Sequence, residues 1–267
     1  MSTFSEEHKS FIQKKKKEKK KVRFFQFFFF LLFLLTWEVL TKLSILNSFL
    51  YSSPSKIFKT ILLLFQKKEL FYHIGVTLWE VSVSFFLSSL FGILFAYLLW
   101  RFPFFARVLD PYITILNSLP KVALGPLIII WVGANMNSII FMALLISLFT
   151  TIINIYHGFL SVNKEYILLL RSFHATQSQL FFKVILPSNI IPIMTTLKIN
   201  ISMSLIGVIM GELLVSKKGL GYLIMYGSQV FQLDLVLTSV FLLGIISYMM
   251  YLLLDFYILF LKRKANH

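Results

Sequence analysis

Cysteine is absent from this 267-residue chain, and charged residues make up only 14% of it. The lack of cysteine excludes disulfides, thiolate catalysis and metal sites with cysteine ligands. A soluble domain has roughly 25% charged residues, whereas this chain is 58% hydrophobic and has a mean hydropathy of +0.81. The shortage of charge therefore places the chain in a membrane.

The sequence also lacks the short motifs of common catalytic and nucleotide-binding sites. It contains no Gly-x-x-x-x-Gly-Lys-Ser/Thr loop, no His-Glu-x-x-His pair and no Gly-x-Ser-x-Gly turn. Its histidines have no second ligand at helical spacing: His8, His73, His157, His174 and His267. Its carboxylates in or near apolar segments are expected at depths too different for a catalytic pair: Glu38, Glu80, Glu212 and Asp255. We therefore expect no catalytic residue, no metal, no bound cofactor and no enzymatic activity.

Long apolar runs predict an all-α polytopic membrane protein with six transmembrane helices. We expect these helices at about Phe24–Thr41, His73–Trp100, Pro111–Val132, Asn137–Leu160, Ile190–Val215 and Leu235–Leu261. Asp110 and Asp234 are expected to be N-caps, with Pro111 at the first helical position. Glu38 and Lys42 stand four residues apart and are expected to pair.

Basic residues are distributed unequally around these six helices. Loops on the side of the termini contain 17 lysines and arginines, whereas the opposite loops contain seven. The positive-inside rule then places both termini in the cytoplasm of a multi-pass plasma or inner membrane protein. The predicted parts are a basic cytoplasmic tail at 1–23, a first transmembrane helix and extracytoplasmic segment at 24–72, a transmembrane domain at 73–261 and a second cytoplasmic tail at 262–267. The first tail is expected to contact anionic lipid and not nucleic acid.

The extracytoplasmic segment at 43–72 is expected to include a short helix at the membrane interface. The cytoplasmic loop at 161–189 is longer and half polar, with a charged, partly amphipathic stretch from Lys164 to Pro187. A loop of this kind between two apolar helices indicates a docking surface for another protein.

This loop resembles the coupling loop of ABC importer permeases, whose pattern is Glu-Ala-Ala, three residues, Gly, nine residues and Ile-x-Leu-Pro. Val184-Ile185-Leu186-Pro187 matches the end of the pattern, which places its glycine on His174 and its Glu-Ala-Ala on Leu168-Leu169-Leu170. The sequence departs from the pattern at both of these places. Segments 116–133 and 207–224 resemble the nitrate/sulfonate/taurine-type branch of the same family.

The resemblance implies that the 73–261 domain is a permease and that an ATPase subunit, which uses the ATP, docks on this loop. The residues that it implies in coupling are Tyr166, Leu169, Leu170, Arg171, Phe173, His174, Ala175, Leu180, Phe181, Leu186 and Pro187, with Lys183 at the polar rim. It further implies a second permease copy around one central pathway and an extracytoplasmic solute-binding protein.

Candidates for the solute pathway are polar or helix-bending residues within the apolar segments. Pro120, Lys121 and Pro126 predict a kinked third helix that faces protein or water. Lys198 is a second intramembrane base, and either solute contact or a structural pairing would explain it. Glu212 is expected either at a gate or in a salt bridge to Lys217.

The function that these features favour is a permease subunit of an ABC importer for a small solute, driven by a separate ATPase. The alternative is a stand-alone secondary transporter or channel, which would usually show an inverted repeat or paired ionisable residues. A membrane scaffold or enzyme is a further alternative. Two solute classes remain open, a sulfonate, nitrate or taurine-like anion and a thiamine-precursor pyrimidine, and Lys121 favours the anion slightly.

Overall fold

The computed structural model describes residues 6–265, so residues 1–5 and 266–267 of the two predicted tails lie outside the described residues. Between residues 6 and 265 the chain forms twelve α-helices and no strand, with a 3-10 turn at Lys121–Leu124 and a π-helical turn at Phe181–Ile185. The helices are α1 Glu6–Lys42, α2 Ser48–Tyr51, α3 Pro54–Gln66, α4 Leu70–Arg101, α5 Pro103–Ser118, α6 Gly125–Val132, α7 Met136–Leu160, α8 Lys164–Ser172, α9 Gln177–Leu180, α10 Leu186–Val215, α11 Leu220–Gln229 and α12 Leu233–Ala265.

Five helical segments are long and apolar enough to cross a membrane: Gln13–Lys42, Leu70–Arg101, Met136–Leu160, Gln177–Val215 and Leu233–Leu259. A bent pair, Pro103–Ser118 and Lys121–Val132, meets at 83° and passes the same test when taken together. The all-α polytopic fold is therefore confirmed, and residues 6–265 contain up to six candidate spans when the bent pair is counted as one broken span.

Helices α4, α7 and α10 form the centre of the bundle, where small residues allow close approach. Gly207 of α10 lies against Ala143 of α7, and a Cβ atom added at Gly211 would lie 3.0 Å from the Cα of Ile139. Gly92 of α4 faces Thr151 of α7 in the same way. Transmembrane helices associate through such contacts because lipid offers no hydrophobic drive between them.

The first helix begins much earlier than predicted. α1 runs unbroken from Glu6 to Lys42, so it includes the basic run that was expected to be a separate tail. Residues 6–42 contain neither glycine nor proline, and lysine and glutamate are good helix formers. The predicted pair is confirmed, since Lys42 Nζ lies 3.2 Å from Glu38 Oε1, and Glu38 also accepts a hydrogen bond from the Ser55 N–H of α3.

The third span is broken where a single kinked helix was predicted. α5 begins at Pro103, so Asp110 lies inside the helix and does not cap it. The break follows Leu119, which has φ −62° and ψ 140°, because the ring of Pro120 disfavours helical conformation in the residue before it. The chain then makes the 3-10 turn and continues as α6.

The outer segment and the last helix also differ in detail from the sequence prediction. The predicted short helix is α3, which Ser53 caps through the Lys56 N–H. α12 begins at Leu233, so Asp234 lies in its first turn instead of capping it. Asp234 instead lies 3.9 Å from Lys56 Nζ, and this contact joins α3 to α12.

We expect Gly207→Ala to destabilise the bundle by about 1–3 kcal/mol, because its added methyl group would overlap Ala143 of α7. Gly244→Ala in α12 is the matched control, since a Cβ there would meet nothing within 4 Å, and alanine favours helix by up to about 1 kcal/mol over glycine. Thermal unfolding in detergent should place Gly207→Ala below the native chain and Gly244→Ala at or above it. Equal unfolding temperatures for the two variants would contradict this packing.

Candidate functional site

Residues 164–187, which we call the coupling segment after the role predicted for them, present an exposed apolar ridge on α8. Asn163 begins this helix by accepting a hydrogen bond from the Glu165 N–H at 2.9 Å. Along α8 and just after it, Tyr166 is 56% exposed, Leu169 56% and Phe173 76%. An exposed apolar ridge is typical of a surface that binds another protein.

Other residues predicted for coupling hold the segment to the bundle. Leu180 and Phe181 are buried, and the Phe181 ring centroid lies 4.6 Å from Tyr97 and 5.1 Å from Trp100 of α4. The prediction that Leu180 and Phe181 contact an ATPase is therefore not supported, because the core already covers them. Leu170 is also half-buried against this core cluster.

The end of the coupling segment is continuous with a transmembrane helix. Thr176 and Gln179 form a reciprocal capping box at the start of α9. α9, the π-helical turn and α10 then make one span from Gln177 to Val215, 39 residues long. Three further predicted residues flank the core contacts, with Ala175 and Leu186 half-buried and Pro187 exposed in the first turn of α10.

His174 lies in the turn between α8 and α9 with φ +54°. This left-handed conformation favours glycine and costs most other residues roughly 1 kcal/mol. The resemblance to the coupling-loop pattern places the glycine of that pattern at this position. The turn thus has the backbone shape that a glycine would suit, although histidine occupies it.

The broken third span brings together three half-buried polar side chains, those of Asn117, Lys121 and Thr150. Lys121 Nζ lies 3.3 Å from Asn117 Oδ1, which also accepts a hydrogen bond from Thr150 Oγ1 of α7 at 3.1 Å. The Lys121 ammonium lies 5.7 Å from the centroid of the Phe149 ring. Pro120 and Pro126, which flank this turn, are both exposed. No acidic side chain within the described part of the chain pairs with Lys121.

Lys198 has a different environment from Lys121. Its ammonium pairs with Asp255 of α12 and lies 4.7 Å from the centroid of the Tyr251 ring. The prediction that Lys198 lines the solute pathway is therefore not supported, because its charge is already paired. The contact instead joins α10 to α12.

Glu212 is buried in a hydrogen-bonded network and forms no salt bridge to Lys217 among the described side chains. Its Oε1 accepts from Thr77 Oγ1 of α4 at 2.7 Å, and its Oε2 accepts from the Gly221 N–H at 2.6 Å. The predicted pair with Lys217 is therefore wrong, and the alternative place of Glu212 at a gate stays a prediction. Its carboxylate fixes the turn that joins α10 to α11.

Sequence reasoning missed the carboxyl pair in this network. Glu80 of α4 is buried beside Glu212, and its Oε2 has no hydrogen-bond partner among the described residues, although the two were expected at different depths. Two neighbouring buried carboxylates repel each other, whereas a proton on one of them allows it to donate a hydrogen bond to the other. The pair joins α4 to α10 in the same place as Thr77.

A polar stripe along α4 could have indicated these contacts. Its residues are spaced by four or three along the helix, which places them on one face: His73, Thr77, Glu80, Ser84 and Ser88. The N–H of Gly219 donates to His73 Nδ1 at 3.0 Å, and the N–H of Leu220 donates to Thr77 Oγ1 at 2.9 Å. Farther along, Ser88 Oγ donates to Asn200 Oδ1 of α10 at 3.0 Å. The stripe therefore faces α10 and the turn between α10 and α11.

Comparison with known proteins identifies the family to which this chain is similar. The family model described as binding-protein-dependent transport system inner membrane component matches residues 88–267. A probable ABC transporter permease protein of Haemophilus influenzae is 30% identical over 223 residues, which are 83% of this chain and 90% of that protein. The formylaminopyrimidine transport permease protein ThiX of Halalkalibacterium halodurans is 30% identical over 190 residues, 71% of this chain and 75% of that protein.

More distant similarity extends to other permeases. The putative aliphatic sulfonates transport permease protein SsuC of Escherichia coli is 25% identical over 211 residues, 79% of this chain and 80% of that protein. A solved inward-facing structure of the MetNI methionine ABC transporter contains a chain with the same fold. It matches with a TM-score of 0.59 and 19% identity over 70% of this chain and 94% of that one.

The chain belongs to the family of inner membrane components of binding-protein-dependent transport systems. It is a multi-pass membrane protein and a transport subunit, and the predicted class, a permease subunit of an ABC importer, is confirmed. Membership implies an ATPase partner and a solute-binding protein. It also decides against the alternative of a stand-alone channel or secondary transporter.

We expect Glu80→Gln to be tolerated and Glu212→Gln to destabilise the protein. A glutamine at position 80 still donates a hydrogen bond to Glu212, whereas one at position 212 has a single acceptor oxygen for the donors Thr77 and Gly221. A buried donor left without a partner costs about 1–3 kcal/mol. Thermal unfolding in detergent should therefore rank native and Glu80→Gln together, well above Glu212→Gln. The reverse order would show that the carboxyl pair is arranged differently.

Proposed function

We propose that this permease binds its ATPase through the exposed ridge of α8 and moves a small anionic solute inward past the broken third span. The observation that supports this most directly is the continuous span from Gln177 to Val215. One end of this span forms part of the coupling segment, and the other end lies in the bundle. A displacement of the coupling segment would therefore move a transmembrane helix directly.

The coupling surface in this proposal consists of Tyr166, Leu169 and Phe173, with Arg171 and Lys183 at its rim. All five side chains are exposed in the described chain. The partner ATPase binds and hydrolyses the ATP, and this chain binds no nucleotide. The coupling segment and both termini face the cytoplasm, as the distribution of basic residues favours.

A second copy of the chain would complete the pathway. The broken span has large apolar side chains that the single chain leaves uncovered, with Ile130 78% exposed and Trp131 69% exposed. A homodimer that buries this surface would bring two copies of the Lys121 turn to one central passage. The proposed assembly therefore contains two copies of this chain.

The proposed solute class depends on Lys121. An intramembrane base is costly and usually has a functional role, and here it is flanked by an amide and a hydroxyl group that also form hydrogen bonds. These groups suit a small anion such as a sulfonate or nitrate. The relatives named for sulfonate transport support an anion, whereas the relative named for formylaminopyrimidine transport supports the second class, a thiamine-precursor pyrimidine.

We expect the double variant Leu169→Glu/Phe173→Glu to lose its ATPase, because two charges would replace exposed apolar contacts at one helical turn. The matched control is Phe58→Glu/Leu62→Glu, which changes two exposed residues of α3 at the same spacing. Co-purification of the full chain with its ATPase from detergent should fall at least tenfold for the first variant and not for the control. Retention of the ATPase by the first variant would place the docking surface elsewhere.

We expect Lys121→Met to raise the KM for an anionic solute roughly tenfold or more, since hydrogen bonds to charged groups contribute about 1.5–3 kcal/mol. Lys121→Arg should keep most of the affinity, and Lys59→Met on exposed α3 is the control for loss of a positive charge. Uptake into proteoliposomes would be measured for taurine, nitrate and an aminopyrimidine. An unchanged KM for both anions, with altered aminopyrimidine uptake, would favour the second solute class.

A further inference from the structure

A cleft of about 900 Å³ lies between α3, α4, α11 and α12, and we call it the lysine cleft. Four lysines and two acidic residues line it: Lys56, Lys67, Lys217, Lys218, Glu69 and Asp234. Lys56 lies 3.9 Å from Asp234. The other three lysines have no carboxylate within 4 Å among the side chains that the structure describes. The cleft is therefore net positive and has three ammonium groups available to an anion.

His73 also lines the lysine cleft, and it has a hydrogen-bond donor without an acceptor. The side chain is only 7% exposed, and its ring stacks on Tyr222 with 5.9 Å between the centroids. Nδ1 accepts the Gly219 N–H at 3.0 Å, so the proton of the neutral ring lies on Nε2. Within residues 6–265, Nε2 has no hydrogen-bond partner. A buried donor that is oriented in this way indicates an acceptor from outside the chain.

The first turn of α4 adds further donors to the lysine cleft. Glu69 is the N-cap residue of α4, and its side chain forms no capping hydrogen bond. The first N–H groups of a helix have no partner within the helix and carry partial positive charge. Glu69, Tyr72 and His73 of this helix end all line the cleft. Ammonium groups, an imidazole N–H and a helix N-terminus together suit an oxyanion with several acceptor oxygens, such as a phosphate group.

The depth of the lysine cleft and its apolar edge favour a lipid as the source of this phosphate. α4 has 32 residues, so it is about 48 Å long, whereas the hydrocarbon core is about 30 Å thick. A centred α4 extends roughly 9 Å beyond the core at each end, which places its fourth residue, His73, among the phospholipid head groups. Three apolar side chains of the cleft are exposed beside the charges: Phe49, Leu63 and Phe231.

We propose that the lysine cleft binds an anionic phospholipid, whose phosphate group accepts hydrogen bonds from His73 Nε2 and from the three free ammonium groups. The acyl chains of this lipid cover the exposed apolar side chains at the edge of the cleft. Its phosphate caps α4 and connects the end of α3 to the turn between α10 and α11. The inference needs only that the chain lies in a bilayer, so it is independent of the solute and of the ATPase.

The test measures lipid binding to the purified full-length chain in mild detergent, by native mass spectrometry during titration with phosphatidylglycerol. His73→Asn keeps an acceptor oxygen for the Gly219 N–H but has no donor in the place of Nε2. We expect it to weaken binding about tenfold, since a hydrogen bond to a charged group is lost. Its thermal unfolding temperature should stay close to that of the native chain.

A second variant, Lys67→Gln/Lys217→Gln, changes two exposed side chains and leaves the buried hydrogen bonds intact. Each lysine near anionic head groups contributes about fivefold to lipid binding, so we expect this variant to lose at least tenfold. Lys68→Gln is the matched control, because Lys68 is exposed beside Lys67 but does not line the cleft.

Weaker phosphatidylglycerol binding by both variants, with Lys68→Gln unchanged, supports the proposal. Native-like binding by Lys67→Gln/Lys217→Gln overturns it, whether or not His73→Asn folds. Glycerol phosphate has the phosphate without acyl chains, and binding as tight as that of the lipid would assign the cleft to a free oxyanion and overturn the lipid. Phosphatidylcholine binding as tight as that of phosphatidylglycerol, and equal in all variants, would show that acyl chains alone hold the lipid and would also overturn it.

Discussion

The carboxylate of Glu212 is the group on which the rest of the bundle depends. A charged or hydrogen-bonding group inside an apolar bundle is tolerated only where partners surround it. Here the partners come from α4 and from the backbone of the following turn. Satisfying one buried acid therefore fixes the angle between α4 and α10, the shape of the turn between α10 and α11, and the start of α11.

Two kinds of contact hold the bundle together, close packing at glycines and hydrogen bonding between polar side chains. α7 and α10 meet through glycine contacts, as at Gly207 and Gly211, whereas α4 and α10 meet through the polar stripe. Both kinds of contact require a single relative position of the helices. Such helices move as rigid bodies, which suits a subunit that passes movement from one membrane face to the other.

The sequence predicted the helical class and the positions of most spans, because apolar run length is a local signal. Contacts between helices were harder to predict from the sequence. Glu80 and Glu212 are 132 positions apart, and a depth estimated for each span separately gave no sign that they meet. Lys198 was ambiguous for the same reason, since its partner Asp255 lies on another helix. The break at Pro120 was predicted only as a kink, because proline signals a bend without its angle.

The π-helical turn at Phe181–Ile185 sets the phase of the helix that follows it. A turn of this kind accommodates one extra residue, and each residue rotates an α-helix by about 100°. The side of α10 that meets α4 is therefore determined by residue count across this turn as much as by the residues themselves. In this permease, the number of residues between the coupling segment and the bundle therefore determines how α10 packs. A one-residue insertion there would turn the residues of α10 that contact the polar stripe away from α4 and towards lipid.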